Sequence, residues 1–249
     1  MAKEDPEARM SFLDHLEELR SRLMKALIAL AVGFGVAWNY HEEIFHFMVG
    51  PLHRFDPKIR LIATTPTETI MLYMKMSFFV GIFIAAPYLL YQVWAFISPG
   101  LYTHEKGYVW PFVLFGTIFF VAGAAFGHYV LFPIALGFLG GFGGADVEFL
   151  PRVTEYYDFY SWFLLSLGLV FQLPVVILVL ARIGLVTAGF LLRQFKWAVL
   201  LSFIIAAFVT PTPDVVNQTL LALPMIGLYL LGVVVAAIFG KKRKTSASA

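Results

Sequence analysis

The polar positions of this chain fall into short clusters, and between them lie six long apolar runs: Leu23–Tyr40, Ile70–Ile97, Tyr108–Phe132, Phe159–Leu180, Trp197–Val209 and Val215–Phe239. A helix needs about 20 apolar residues to cross the hydrocarbon core of a bilayer. The pattern therefore predicts an all-α membrane protein with six transmembrane helices. The fifth run has thirteen residues, which as a helix would cover only about 20 Å of a core about 30 Å thick. The sixth is punctured by Pro224, which is expected to leave it shorter than its apolar extent. A pair of short helices would thin the lipid locally or recess the protein.

Composition agrees with a bilayer environment. The chain is 60% hydrophobic and 14% charged, against about 25% charged in a soluble domain. Its 26 phenylalanines suit lipid-facing and interfacial positions. There is no cysteine, which excludes disulfides, thiolate metal sites and cysteine nucleophiles. The first twenty residues are charged and lack a small-residue cleavage site, so Leu23–Tyr40 reads as a retained span.

The distribution of charge sets an orientation. With both termini inside, the inner segments hold Lys3, Arg9, Arg20, Arg22, Lys25, Lys106, Arg182, Arg193, Lys196, Lys241, Lys242, Arg243 and Lys244, and the outer segments hold Arg54, Lys58, Arg60 and Arg152. That bias places both ends in the cytoplasm. The whole reads as one polytopic membrane domain over 1–249: a cytoplasmic amino-terminal helix over 1–22, a bundle over 23–239 and a basic tail over 240–249. The tail's "KKRK" is expected to contact anionic lipid.

Three constellations carry candidate chemistry. In "HLEELRSRL", residues 15–23, Glu18 and Arg22 form an i,i+4 pair on a helix face shared with His15 and Leu19. The segment is either a juxtamembrane helix stabilised by such pairs or a place where Glu17 or Glu18 meets a cationic ligand. In "YQVWAFISPGLYTHEKG", residues 91–107, Ser98-Pro99-Gly100 ends a helix and turns the chain, and Glu105 is the only acid of that inner loop. It is either a solvated acid or, on the same membrane face as Glu18, part of one site. In "FQLPVV", Gln172 lies within the fourth span and needs a hydrogen-bond partner there. Either a contact within the chain supplies it, such as the carbonyl freed by Pro174, or another membrane helix docks on it. Gly123 and Gly127 make a small-xxx-small pair in the third span, and Lys75 is the main ionisable residue within a span.

Taken together, "HLEELRSRL", "YQVWAFISPGLYTHEK", "FGHYVLFP" and "TPTPDVVNQTLLALPM" resemble TatC, the receptor subunit of the twin-arginine protein translocase. The resemblance implies a concave, glove-like bundle of six helices with short fifth and sixth members and both termini cytoplasmic. It implies a proton-motive-force-driven function in the prokaryotic cytoplasmic (inner) membrane. There a TatC-like protein binds twin-arginine signal peptides of folded substrates and assembles with single-span TatA- and TatB-type partners, with self-association in a receptor complex. Glu18 and Glu105 match the acids that recognise the arginine pair, and Phe96, Leu19, Arg20 and Arg22 sit in the same motifs. Pro51, Pro87 and Asp214 match further positions that matter in the family. Many relatives carry Glu where this chain has Gln172, so a proton-coupled role at that site is in doubt here, whereas a polar docking role survives.

No catalytic residue, metal, cofactor or nucleic-acid partner is expected. A small-solute secondary transporter would show polar groups near the midplane and often inverted repeats, and an intramembrane protease would need a nucleophile with a base. His128 is the only candidate base, and no nucleophile motif accompanies it.

Overall fold

Within a bilayer core every backbone N–H must be satisfied inside its own segment, which leaves a predominantly apolar chain the helix as its route across. The computed structural model describes residues 12–97, 109–141, 149–210 and 214–240, and these are helical almost throughout. In chain order the helices are α1 (Phe12–Trp38), α2 (His41–Phe55), α3 (Glu68–Ile97), α4 (Val109–Phe126), α5 (Phe132–Gly140), α6 (Val153–Val170), α7 (Leu173–Arg182), α8 (Ala188–Arg193), α9 (Phe195–Val209) and α10 (Val215–Phe239), with a π-helical turn over Gly127–Leu131 joining α4 to α5. Among the described residues five stretches are long and apolar enough to cross a membrane, and α9 is a further, shorter apolar helix.

The charged amino-terminal segment and the first span form one continuous helix, α1. The third span runs on past its expected end. Pro133 cannot donate to the carbonyl one turn back, and the chain widens into the π turn before resuming as α5. The fourth span is broken: Pro174 ends α6 at Val170, residues 171 and 172 form a turn, and α7 restarts with the proline in its first turn. Gly184, at φ 80°, then closes α7, because the left-handed geometry that ends the helix suits a residue without Cβ. The expectation of a short sixth helix is corrected. α10 has 25 residues and continues through Pro224, which leaves a single turn without its donor and does not break the helix. The short fifth helix is observed, with 15 residues in α9.

At the outer side, α2 and the segment after it form a cap. Pro51 is buried inside α2. Ile62 and Arg152 make the one bridge of extended backbone among the described residues, with Val153 N donating to Ile62 O at 3.0 Å. The Glu68 carboxylate begins α3. It accepts from the Thr64 amide at 2.6 Å and the Thr154 hydroxyl at 2.7 Å, and lies 3.5 Å from the Arg152 guanidinium. Tyr156 donates to Met48 O at 2.9 Å and Tyr157 to Lys75 O at 2.6 Å, tying α6 to α2 and α3. Beneath this cap lies the main core, around Phe132, Phe163, Leu52, Met76 and Leu221. Separate clusters form around Trp94, Phe112 and Val175, and around Ile177, Leu191 and Val233.

Lipid tails are as apolar as the helix faces, so helices associate here by close packing more than by the hydrophobic effect. Small residues allow that approach. A Cβ on Gly33 of α1 would sit 2.5 Å from the Gly81 carbonyl oxygen of α3, and one on Gly81 would sit 2.7 Å from the Phe34 amide nitrogen. The Gly123 and Gly127 pair has the same role against α6, where a Cβ on Gly123 would meet Leu167 O at 2.7 Å. α1 depends on the Gly33–Gly81 contact, because only 11% of its apolar window is buried.

Two outcomes follow from this packing. Gly33→Leu should force α1 from α3 and lower stability by about 1–3 kcal/mol. Gly35→Leu, at a position where an added Cβ meets nothing within 4 Å, should stay near the parent in thermal unfolding of the detergent-purified protein. Separately, α9 covers about 22 Å as a helix against a core of about 30 Å. Adding three or four leucines within it should leave insertion intact and impair export, and full export by such a variant would exclude a role for its shortness.

Candidate functional site

The end of the α1–α3 pair that the charge bias is expected to turn to the cytoplasm carries the first constellation and residues 91–97 of the second. Four-residue spacing sets Glu18 and Arg22 one turn apart on α1, and they meet. Arg22 Nε donates to Glu18 Oε1 at 2.8 Å, and Nη2 donates to the same oxygen. The Glu18 side chain is 18% and the Arg22 side chain 22% exposed, so this pair is shielded more than a surface helix pair worth about 0.3–0.5 kcal/mol. Glu18 Oε2 is enclosed and has no hydrogen-bond partner among the described residues.

The third limb of the Arg22 fork leaves the helix. Nη1 donates to Gln92 Oε1 on α3 at 3.3 Å. Gln92 is buried, and a buried amide is costly unless it is hydrogen-bonded. Four residues on, Phe96 stacks on His15 with ring centroids 4.4 Å apart and planes 18° from parallel. The two contacts fix the face of α1 that carries Glu18. Sequence reasoning singled out Glu18, Arg22 and Phe96 and missed Gln92. The available signal was one amide in an apolar run, one helical turn before Phe96.

Of the remaining predicted residues, those that the structure describes do not join this cluster. Leu19 and Arg20 point outward and are exposed. Glu105 lies outside the described residues. Pro87 lies within α3, exposed, and the helix passes through it. Asp214 caps α10, accepting from the Asn217 amide nitrogen at 2.7 Å and from its side chain at 2.9 Å. Its place is thus at the start of the last helix, far along the chain from the acid pair.

Gln172 occupies the break between α6 and α7. Its Nε2 donates to Gly116 O on α4 at 2.8 Å. The partner is therefore a neighbouring helix of the same chain, and not the carbonyl freed by Pro174. Gly116 permits the approach, since a Cβ there would lie 3.2 Å from Gln172 Oε1.

A second concavity, of about 420 Å³, opens between α2, α3, α4 and α6 and is lined by apolar side chains with Glu43 at its edge. His128, placed there by the π turn, pairs through Nδ1 with the Tyr160 hydroxyl at 2.8 Å and stacks on Phe47 at 4.1 Å. Among the described residues no group of three His, Cys, Asp or Glu side chains is placed to hold a metal.

The family described as "Sec-independent protein translocase protein (TatC)" matches residues 14–224. The chain belongs to the TatC family. A TatC of Koribacter versatilis is 42% identical over 243 residues, covering 94% of this chain and 88% of that protein. One from Desulforapulum autotrophicum is 40% identical over 238 residues, covering 95% and 88%. Two crystal structures of the twin-arginine translocase receptor TatC superpose with TM-scores of 0.77 and 0.79. Both are 35% identical and cover 89% and 91% of this chain and 97% and 99% of theirs. The chain is therefore a multi-pass membrane subunit of the Sec-independent, twin-arginine protein translocase, which sets aside the reading as a small-solute transporter. TatC is a translocase component and not a member of a known enzyme family.

The Gln172 geometry yields an expected outcome. Gln172→Leu removes one interhelical hydrogen bond, and such bonds average about 0.6 kcal/mol in membranes. The variant should fold, with a small loss of thermal stability. A loss of several kcal/mol would mean that the amide also holds the α6–α7 break.

Proposed function

We propose that this TatC family member is the component that receives twin-arginine signal peptides of folded proteins at the cytoplasmic face of the prokaryotic inner membrane. In this reading it nucleates the translocation site with TatA- and TatB-type single-span partners and associates with further copies of itself in a receptor complex. The observation that carries the reading is Glu18. It is a largely shielded carboxylate at the inner end of the bundle, already paired with a guanidinium, with one oxygen that no donor among the described residues reaches. A carboxylate in that setting suits a planar, forked cation, which can contact it through two N–H groups where an ammonium cannot.

In this reading Glu105 supplies a second carboxylate, so that two arginines meet two acids. Phe96 and Leu19 give apolar contact, and Arg20 and Arg22 shape the charge around the acids. Gln172 serves partner docking with the half of its amide that remains. Its NH₂ is used on Gly116, and its Oε1 makes no hydrogen bond within the described residues, so a donor on a single-span partner could use it. Pro51 and Asp214 serve assembly through the outer cap and the α10 terminus, and Pro87 through α3.

Glu18→Gln and Glu105→Gln should each weaken binding of a twin-arginine signal peptide by about tenfold or more, since hydrogen bonds to charged groups contribute about 1.5–3 kcal/mol. Membrane insertion should stay near normal. The double variant should lose less than the sum of the two if both acids grip one arginine pair. Photo-crosslinking of a labelled peptide to the purified variants measures this, and undiminished crosslinking to both would place the site elsewhere.

A further inference from the structure

The resting state of Glu18 resembles an occupied site. Two N–H groups of Arg22 converge on Oε1, as a forked ligand would approach it. The occupant is part of the chain, and its remaining terminal nitrogen is held by a buried acceptor on another helix, Gln92. Gln92 is 70 residues from Arg22 in sequence, so the fold, and not local helix geometry, brings this second acceptor to Arg22.

We propose that Arg22 is a built-in competitor for the signal-peptide arginine, and that Gln92 is the positioning residue that receives Arg22 when the peptide displaces it. The proposal rests on the reading of Glu18 as a peptide-binding acid. Under it, specificity arises by exchange. A peptide guanidinium replaces the Arg22 guanidinium on Glu18 with a contact of the same kind, and Arg22 keeps one neutral acceptor in Gln92. A peptide ammonium is a compact point charge without a fork. To reach Glu18 it would have to replace two converging N–H contacts with a poorer one, so it is rejected by the incumbent. Discrimination against lysine is thus a difference between two exchange reactions, and it requires Arg22 even if Arg22 never touches the peptide.

The geometry separates two effects. Removing the competitor should open Glu18 to any cation, raising lysine-peptide binding more than arginine-peptide binding. Removing Gln92 should leave the competitor in place but deprive it of its landing acceptor, so that any peptide that must displace Arg22 from Glu18 binds more weakly, the lysine peptide as well as the arginine peptide.

The test uses the full chain in nanodiscs and two fluorescein-labelled signal peptides differing only in Arg-Arg against Lys-Lys. In the parent the arginine peptide should bind more tightly. Arg22→Met should raise Lys-Lys affinity and reduce the ratio of the two affinities by about tenfold. Gln92→Leu should reduce Arg-Arg affinity several-fold, with Lys-Lys affinity falling in parallel. If Arg22→Met fails to insert, Arg22→Lys keeps the charge without the fork and should also narrow the ratio. An unchanged ratio in the inserted Arg22 variant, or Arg-Arg binding to Gln92→Leu equal to the parent, overturns the proposal. Glu18→Gln is run alongside. If it binds the Arg-Arg peptide as the parent does, the peptide-site reading itself fails. If it loses binding while the Arg22 ratio is unchanged, the site stands and the competitor mechanism falls.

Discussion

Where α1 crosses α3, backbone touches backbone: Gly33 and Gly81 leave no room for a Cβ on either helix. The rest of the inner site depends on this contact. α1 offers most of its apolar surface to lipid, with Leu23, Leu27, Ile28 and Val32 all exposed. Burial therefore gives it little reason to choose one neighbour or one rotation. The paired glycines fix both, since a turn of α1 about its axis would bring a larger side chain against Gly81. Seen from that crossing, the helix runs inward to Arg22 and Glu18, and α3 runs alongside to Gln92 and Phe96. Close packing near the middle of the membrane thus sets the hydrogen-bond geometry at its surface.

Two further contacts distribute the same logic through the bundle. Gly123 and Gly127 bring α4 onto α6, and Gly116 lets α4 reach the Gln172 amide. The outer ends are treated differently. There the chain meets water, and polar side chains join the segments: Glu68 gathers Thr64, Thr154 and Arg152, and tyrosine hydroxyls cross from α6 to backbone carbonyls on α2 and α3. The membrane interior is joined mainly by close approach at glycines, with the Gln172 amide as an exception, and the outer cap by polar side chains.

The spans, their number and the short α9 were legible because apolar length is a direct requirement of the bilayer. The pairing of Glu18 with Arg22 was legible because helical spacing is local. Prolines were read less well. Pro133 and Pro174 redirect the chain, whereas Pro51, Pro87 and Pro224 lie within helices that continue. Each lacks the same donor, so the missing hydrogen bond does not by itself separate the two groups. Gln92 was missed for a related reason. A single amide in an apolar run near the interface has no periodic signature, and its meaning comes from Arg22, distant in sequence. The Gly33–Gly81 contact also escaped, since each glycine belongs to a different run.

The amide at position 172 bears on how this chain could respond to protons. Its NH₂ donates to Gly116 O whatever the proton concentration, because an amide has a permanent donor. A carboxyl in the same place would donate to that carbonyl only when protonated. When ionised it would bring a negative charge against the carbonyl oxygen in a low-dielectric setting, where an unpaired charge is costly. An acid here would therefore make the α4–α6/α7 contact conditional on protonation, and the glutamine makes it constant. In this chain the junction between the two halves of the fourth span is held in one state. Any protonation-dependent step in transport must then be carried by groups other than this side chain, on this subunit or on its partners.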